Sequence, residues 1–345
     1  QVENSIPGSC CMIVKNESEL LARCLDSIAM AMDEIIIVDT GSTDDTKEIA
    51  RRYTDLVFDF PWDDDFSAAR NFSFSKATMD YIYAPDADEY LDEYNLKQLR
   101  MLKGRLTEDI EIVQMMYNTV SEDTVLNIKN EYRPKLFKRL RTFTWVDPIH
   151  ETVRLTPVVF NSSIVITHAP KGNHSQRDFK IFRKAIERDG FLSNTVCVMY
   201  ATELIKCGKK EDLEDSRSYF LNLYETVEDE AKKAMAACVL TRLHRLNHDL
   251  DAIGEVISFI PDDKEISEIY YDLGCYYLDE ENLEEAIAWF SQAATAPHLL
   301  DVHTSGALAL KGLSDCYKIL GDIEMSEQYL ALANNWTMPL EDDHQ

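Results

Sequence analysis

The stretch Glu34-Ile-Ile-Ile-Val-Asp39, followed directly by Thr40-Gly-Ser-Thr-Asp44, decides the fold of the first half of the chain. A continuous run of apolar, mostly β-branched residues is typical of a parallel strand that is buried on both faces. The turn after it is rich in residues that cap helices, and it predicts a helix from Thr46 to Tyr53. Residues 34–53 are therefore expected to form a strand, a turn and a helix, the repeating unit of a parallel sheet.

The same alternation extends to both sides of this stretch. Apolar residues predict a strand over residues 9–14 and, at helical spacing, a helix over residues 18–32. A strand at Leu56–Phe60, a helix at Phe66–Thr78 and a strand at Tyr81–Ala84 follow. This order predicts an α/β domain with a parallel sheet and helices on both faces. Ligands of such sheets bind at the carboxyl ends of the strands.

The second half of the chain has a helical pattern from about residue 190 to its end. Residues 270–297 closely match the tetratricopeptide pattern, and a second copy lies forty positions later with Ser314 in the place of Gly274. Segments 197–224 and 231–260 are weaker candidates. Because one helix pair cannot bury its apolar face alone, three or more such units are expected to stack.

The length of 345 residues suggests two domains. We expect an α/β domain over residues 1–190 and an all-α, tetratricopeptide-like domain over residues 191–345. The 62 acidic and 35 basic side chains give a net charge of −27, which argues against nucleic acids and anionic lipid surfaces as partners. The first domain holds 24 basic and 32 acidic side chains, net −8, and the second 11 and 30, net −19.

The sequence predicts a soluble, cytoplasmic protein, because no window approaches the roughly 18 uninterrupted apolar residues that a membrane helix needs. The N-terminus also lacks the basic region and apolar core of a signal peptide. The eight cysteines lie in apolar stretches without CxxC pairs, which favours buried free thiols over disulfides or zinc ligands.

Three aspartates follow predicted strands and are therefore expected to lie in one cleft. Asp86 and Asp88 come directly after the strand at Tyr81–Ala84, and paired carboxylates there suit Mg²⁺ or Mn²⁺ that also binds substrate phosphates. The alternative is a solvated acidic turn. Asp39 would accept hydrogen bonds from a nucleobase imide or a ribose hydroxyl, or else cap the helix that follows.

Other polar residues extend this candidate site. Arg70 lies among apolar helix residues, so it either binds an anion such as a diphosphate or faces solvent. Glu151 is a candidate general base that His150 would orient, unless His150 binds the metal. His168, at the end of an apolar strand, is a candidate metal ligand.

The sequence contains none of the strings GxGxxG, GxxxxGK[ST], GxSxG and HExxH. Nicotinamide binding, P-loop hydrolysis, serine hydrolysis and zinc-protease chemistry therefore lose their main support. Group transfer from a phosphorylated donor remains.

Five motifs together resemble the inverting family 2 glycosyltransferases. They are Met12-Ile-Val-Lys-Asn-Glu17, Ile37-Val-Asp-Thr-Gly-Ser-Thr-Asp44, Phe60-Pro-Trp62, Asp65-Phe-Ser-Ala-Ala-Arg-Asn71 and Asp86-Ala-Asp-Glu89. This family has the GT-A fold, a Rossmann-like nucleotide-diphospho-sugar transferase domain. The added helical repeats resemble the branch that includes the sublancin-type bacterial peptide S-glycosyltransferases.

The resemblance implies a UDP-sugar donor and Mn²⁺ or Mg²⁺ as cofactor. It places Asp39 at the uracil, Arg70 at the nucleotide or diphosphate, and Asp86 and Asp88 at the ribose and the metal. The implied nucleotide-binding set is Glu17, Asp39, Arg70, Asn71 and Asp86, and the implied metal ligands are Asp86, Asp88 and His168.

The resemblance also implies an acidic catalytic base. In the family this residue follows the strands on the acceptor side, where this sequence has His150-Glu151. The resemblance therefore gives the role of base to Glu151, with His150 beside it, and Asp147 is the alternative.

The expected reaction is metal-dependent transfer of a hexose, from UDP-glucose or UDP-GlcNAc, with inversion. A protein or peptide acceptor is expected because helical repeats offer concave surfaces for extended peptides or for a homodimer. A lipid-linked or polysaccharide acceptor is the runner-up, and a catalytically inactive helical-repeat scaffold is the alternative of another class. A nucleotidyltransferase is disfavoured because Lys15-Asn-Glu17 stands where its Gly- and Arg-rich loop would be.

Overall fold

A computed structural model describes residues 5–107, 109–119, 131–139, 145–146, 152–153, 158–169, 175–258, 260–261 and 264–337. The chain divides into two compact units, Gln1–Arg188 and Asp189–Gln345. The sequence places this boundary after residue 190. No helix within the described ranges is long and apolar enough to span a membrane.

The first unit contains a large sheet with helices. Its described strands are β1 (Gly8–Val14), β2 (Glu34–Asp39), β3 (Val57–Asp59), β4 (Tyr81–Tyr83), β5 (Glu89–Tyr90), β6 (Ile112–Thr119), β7 (Glu131–Lys138), β8 (Trp145–Val146), β9 (Thr152–Val153) and β10 (Val159–His168). Its helices are α1 (Leu21–Ile28), α2 (Thr46–Ala50), α3 (Phe66–Ser75), α4 (Glu93–Lys103) and α5 (Ser175–Asp189). The helices predicted over residues 18–32 and 46–53 are therefore shorter than expected.

Eight strands form one sheet in the order β3-β2-β1-β4-β7-β6-β10-β5. The parallel sheet that the sequence predicts is confirmed for β1 to β4. The sheet then becomes mixed, because β6 and β7 form an antiparallel pair and β7 adds antiparallel to β4. β10 runs parallel to β6, and β5 closes the edge antiparallel to β10.

Both faces of the first sheet strands are buried. Cys10, Met12 and Val14 of β1 pack in one apolar cluster with Leu21 and Leu25 of α1. The opposite face of the sheet packs in a second cluster, whose buried members include Cys11, Ile36, Val38, Ile82 and Phe137. This two-sided burial explains why β1 and β2 have continuous apolar runs instead of alternating patterns.

The second unit is helical in its described residues. Its helices are α6 (Asn194–Cys207), α7 (Lys210–Thr226), α8 (Glu230–Leu246), α9 (Leu250–Ile257), α10 (Ser267–Asp279), α11 (Leu283–Ala293), α12 (Ala307–Ile319) and α13 (Ile323–Asn334). These elements confirm the all-α half of the predicted fold. The most extensive helix packing is between α7 and α8, between α10 and α11, and between α12 and α13. The weak repeat candidates at 197–224 and 231–260 contain α6 with α7 and α8 with α9, but α7 packs mainly on α8, so these two segments do not form separate helix pairs.

The repeat motif has a direct packing reason at Gly274. A Cβ atom on Gly274 would lie 2.6 Å from the Phe290 ring, so the glycine lets α10 and α11 approach closely. In the later copy, Ser314 fills the equivalent position, and its hydroxyl donates to the Ser326 carbonyl oxygen at 2.8 Å. The small residue at this position is therefore required by helix contact.

All eight cysteines lie in the described part of the chain, and none of them forms a disulfide. Six are buried, and Cys207 and Cys275 are partly exposed. This agrees with the free thiols that the sequence predicts.

Candidate functional site

The candidate site lies in the first unit, where several strands end. Asp39 is the last residue of β2, and Asp86 and Asp88 follow β4. His168 is the last residue of β10 and lies opposite Glu89 in the pairing of β10 with β5. The sheet topology thus brings together polar residues that are far apart in the sequence.

Asp39 is buried, and only one of its two carboxylate oxygens has a partner. Oδ1 accepts hydrogen bonds from the backbone N–H groups of Gly41 at 3.0 Å and Ser42 at 2.9 Å. Lys47 Nζ lies 3.8 Å from the same oxygen and also pairs with Asp59. Oδ2 is buried without a hydrogen-bond partner. Because an unpaired buried carboxylate oxygen is costly, Oδ2 is suited to accept a hydrogen bond from a ligand.

The turn after β2 and the start of α2 are tied to the turn after β1 by several hydrogen bonds. The Asn16 N–H donates to Ser42 Oγ at 2.9 Å, and the Thr43 N–H donates to Asn16 Oδ1 at 2.8 Å. The Glu17 N–H donates to Thr46 Oγ1 at 2.8 Å. The residues after β2 that the sequence predicts as helix caps therefore mostly form hydrogen bonds to the turn after β1. The residue before α2 is Asp45, and its side chain makes no cap hydrogen bond.

The pKa of the Glu17 carboxyl is raised, mainly because the group is buried. Burial raises the pKa of its carboxyl from 4.5 to about 7, and the charges of Asp88 and Asp86 act in the same direction. Arg177, in the first turn of α5, partly opposes this shift. Asp86 and Asp88 are therefore close enough to act electrostatically on Glu17, whose nucleotide-binding role stays a prediction.

Asp86 is held by two cations. Arg70, in α3, is 6% exposed and donates from one guanidinium nitrogen to Asp86 Oδ1 at 3.3 Å. Lys135 Nζ lies 3.7 Å from Oδ2. Burial alone would raise the pKa of Asp86, but Lys135 and Arg70 outweigh burial and hold the pKa below its usual range. Arg70 therefore does not face solvent, and one anion that it contacts is Asp86, while its role at the nucleotide or diphosphate stays a prediction. Asn71 follows Arg70 in α3 and is half-buried.

Lys135 in β7 and Glu89 form a buried ion pair that sequence reasoning missed. Lys135 Nζ lies 2.6 Å from Glu89 Oε1, which also accepts a hydrogen bond from the Tyr117 hydroxyl at 2.9 Å. Burial raises the pKa of Glu89, although Lys135 opposes this effect. A single Lys within a strand gives little signal, because its neighbours depend on which strands pair.

Asp88 and His168 form the second half of the site. His168 Nε2 lies 3.0 Å from Asp88 Oδ2, and both side chains are largely buried. The imidazole packs beside the Tyr117 ring with centroids 4.9 Å apart. His168 Nδ1 is buried without a partner. The structure thus brings His168 to the aspartate pair.

The described residues fit a divalent metal ion only together with a substrate. Among them, no group of three or more His, Cys, Asp or Glu side chains could hold a metal. Asp88 and His168 offer an oxygen and a nitrogen donor close together, and His168 has a buried nitrogen without a partner. Mg²⁺ commonly uses one or two carboxylates and completes its shell with substrate phosphates and water. The donor set therefore fits an ion that binds with a diphosphate.

Two packed aromatic side chains, Trp62 and Phe66, lie next to the turn after β1. The Trp62 ring packs on Phe66 with centroids 4.7 Å apart, and Lys15 Nζ lies 5.9 Å from the Trp62 ring. The Trp62 indole N–H donates to buried Asp64 at 2.8 Å. Asp64 in turn pairs with Lys184 of α5 at 2.5 Å. These contacts fix Trp62 near the strand ends that carry Asp39.

The predicted catalytic pair lies outside the described residues. His150, Glu151 and the alternative base Asp147 all fall there. Their roles stay predictions.

Comparisons with known proteins match part of this chain. Residues 9–156 match the family described as Glycosyl transferase family 2. A TPR repeat-containing protein of Synechococcus elongatus is 36% identical over 42% of this chain and 35% of its own length. The prophage-derived glycosyltransferase SunS of Bacillus subtilis is 30% identical over 45% of this chain and 36% of its own length. The chain thus spans about a third of these two relatives.

Among solved structures, glucosyl-3-phosphoglycerate synthase of Mycobacterium tuberculosis, in complex with Mn²⁺, UDP-glucose and phosphoglyceric acid, is similar with a TM-score of 0.42. It is 17% identical, and the match covers 56% of this chain and 83% of that chain.

Proposed function

We propose that the protein moves a sugar from a UDP-sugar to a protein or peptide side chain, because residues 9–156 match the family described as Glycosyl transferase family 2. The observation that carries this proposal is the arrangement of Asp39, Asp86 and Asp88 at the ends of β2 and β4. One of these carboxylates has a buried oxygen without a partner, and another is held ionised by two cations.

The chain's own residues would bind the donor in two parts. Asp39 Oδ2 would accept the imide N–H of uracil, while Trp62 and Lys15 border the same side. Asp86, fixed by Arg70 and Lys135, would accept hydrogen bonds from the ribose. Glu17 would lie between these two parts of the donor.

The diphosphate would lie beside Asp88 and His168. Mn²⁺ or Mg²⁺, when bound, would stabilise the negative charge that develops on the leaving diphosphate. Asp88 and His168 would hold that ion, with Asp86 next to it. Arg70 acts mainly through Asp86, because its guanidinium contacts that carboxylate.

The transfer itself would be a single displacement with inversion. The acceptor oxygen or sulfur forms a bond to the anomeric carbon while the bond from that carbon to the UDP oxygen breaks. Glu151, with His150 beside it, would take the acceptor proton. UDP leaves with the bonding electrons, so atoms and charges balance.

A protein or peptide acceptor is favoured by the packed helices of the second unit, which include the pairs α10 with α11 and α12 with α13. Stacked helix pairs form extended concave surfaces that suit peptides. A lipid-linked or polysaccharide acceptor is the alternative within the same reaction class. A cytoplasmic location and a homodimer through the helical repeats stay predictions from the sequence.

The test is a donor panel followed by an acceptor assay. The protein is incubated with Mn²⁺ and UDP-, GDP- and dTDP-sugars, and release of the nucleoside diphosphate is measured. We expect release from UDP-glucose or UDP-GlcNAc, and a hexose-sized mass increase on an acceptor peptide. If no nucleotide sugar is consumed and UDP does not bind, the inactive helical-repeat scaffold is the correct alternative.

A further inference from the structure

Lys135 connects the buried interior of the sheet with the donor site. It belongs to β7 and is 6% exposed. Its ammonium lies 2.6 Å from Glu89 Oε1, 3.5 Å from the Ala84 carbonyl oxygen and 3.7 Å from Asp86 Oδ2. The first two contacts are internal, and the third reaches a residue that is half-exposed in the cleft.

A buried ion pair is not by itself a good device for stability. The free energy needed to remove an ammonium and a carboxylate from water offsets much of the electrostatic attraction between them. Neutral side chains of similar volume often stabilise the folded state equally well. Glu89 is 1% exposed, and its Oε2 atom is buried without a partner. The Lys135–Glu89 pair is therefore a costly arrangement, which suggests that its charge has a use beyond packing.

A role for this charge is found at Asp86, whose two oxygens lie near different cations. Arg70 contacts Oδ1 at 3.3 Å, and Lys135 Nζ lies 3.7 Å from Oδ2. One cation would leave the carboxylate able to rotate about its last bond. Two cations that approach different oxygens fix the plane of the group, in the way that partners behind a ligating side chain orient it.

We propose that Lys135, supported by Glu89 and Tyr117, is a positioning residue that holds Asp86 in the orientation that binds the nucleotide sugar. This inference rests on the proposed function and deepens it. Lys135 does not contact the donor. It acts through Asp86, and it supplies one positive charge beside three carboxylates that must receive an anionic diphosphate.

The experiment must separate positioning from stability. Lys135→Met alone leaves the Glu89 charge buried and unpaired, which can prevent folding. We therefore compare Glu89→Gln with the double variant Glu89→Gln/Lys135→Met, in which the buried pair is neutral and the introduced side-chain amide oxygen still accepts from Tyr117. These two variants differ only in the Lys135 ammonium.

Lys103 provides a matched control elsewhere in the first unit. It is 5% exposed and pairs with Asp33 at 2.9 Å and the Ala31 carbonyl oxygen. Lys103→Met also removes a buried ammonium with a carboxylate partner, but Asp33 lies outside the candidate site. It should lower the unfolding midpoint without changing UDP affinity.

The readouts are calorimetric titration of UDP in the presence of Mn²⁺ and thermal unfolding of each variant. We expect the double variant to bind UDP at least about tenfold more weakly than Glu89→Gln. Equal affinities in these two variants would show that Lys135 is only structural and would overturn the inference. A wild-type protein that binds no UDP would instead refute the proposed function, so the two failures are distinguishable.

Discussion

His168 Nε2 lies 3.0 Å from Asp88 Oδ2, although eighty residues separate them in the sequence. The contact follows from the sheet, because β10 pairs antiparallel with β5 and sets His168 opposite Glu89. The last residue of β10 is thereby placed at the aspartate pair. The proposed metal site therefore depends on a strand that enters the sheet late in the chain.

Replacing His168 by Ala should weaken binding of UDP with Mn²⁺ by about 10–100-fold, because one of two close donors is lost. Binding of UDP without metal should change little. The measurement is calorimetric titration of UDP with Mn²⁺ and, separately, with EDTA.

His248→Ala is the matched control for this variant. His248 is exposed in the second unit, and its Nδ1 atom also lies near a carboxylate, 3.2 Å from Glu280 Oε1. It should leave both titrations unchanged. If His168→Ala bound UDP with Mn²⁺ like the wild type, His168 would not be a metal ligand.

Glu17 should make stability depend on pH in the absence of metal. Its pKa is about 7 in the folded protein and near 4.5 when unfolded, so the folded state binds its proton more tightly. The free energy of unfolding should therefore fall as pH rises from about 4.5 to about 7. Glu17→Gln removes this contribution. Because water screens the partly exposed carboxylate, the stability of Glu17→Gln relative to wild type should increase by about 1–2 kcal/mol as the pH rises over that window.

Denaturant unfolding of both proteins in EDTA, at about pH 4.5 and about pH 8, measures this difference. The pH dependence of all other groups cancels between the two proteins. A constant difference between them at both pH values would mean that Glu17 titrates normally.

Two glycines of the helical unit should respond to alanine with opposite signs. A Cβ on Gly274 would lie 2.6 Å from the Phe290 ring, and Gly274→Ala should destabilise the protein by about 1–3 kcal/mol through overpacking. A Cβ on Gly254, inside α9, would meet nothing within 4 Å. Gly254→Ala should stabilise by about 0.5–1 kcal/mol, because alanine favours a helix.

Thermal unfolding followed by circular dichroism separates these two outcomes. A destabilised Gly254→Ala, or a Gly274→Ala as stable as the wild type, would contradict the packing described for α9, α10 and α11.

Local sequence patterns predict those strands and helices whose residues have a recognisable periodicity or apolar run. The run that forms β2 and the small residue at Gly274 each have a physical reason that can be recognised in the sequence. Asp39, Asp86 and Asp88 could be placed together because parallel strands end at one edge of the sheet.

The remaining part of the site depends on strand pairing. Lys135 reaches Asp86 only because β7 adds antiparallel to β4, and no local pattern predicts that choice. Glu89 likewise belongs to the acidic motif in the sequence, but its carboxylate contacts Lys135 and Tyr117. Register between distant strands, which decides such contacts, is not encoded in any short stretch.

Asp39 offers the sharpest test of nucleotide recognition. Its Oδ1 atom accepts from the N–H groups of Gly41 and Ser42, so Asp39→Asn would keep its oxygen there and place its NH₂ group at the position of Oδ2. An NH₂ donor opposes the imide N–H of uracil but matches the ring nitrogen acceptor of cytosine. The substitution should therefore change which pyrimidine is preferred.

The decisive measurement is calorimetric titration of UDP and CDP, each with Mn²⁺, into the wild type and Asp39→Asn. We expect that the wild type prefers UDP, and that Asp39→Asn loses about 10–100-fold in UDP affinity while its affinity for CDP is kept or increased. If UDP affinity were the same in both proteins, Asp39 would not bind the base, and the proposed position of the donor would be wrong.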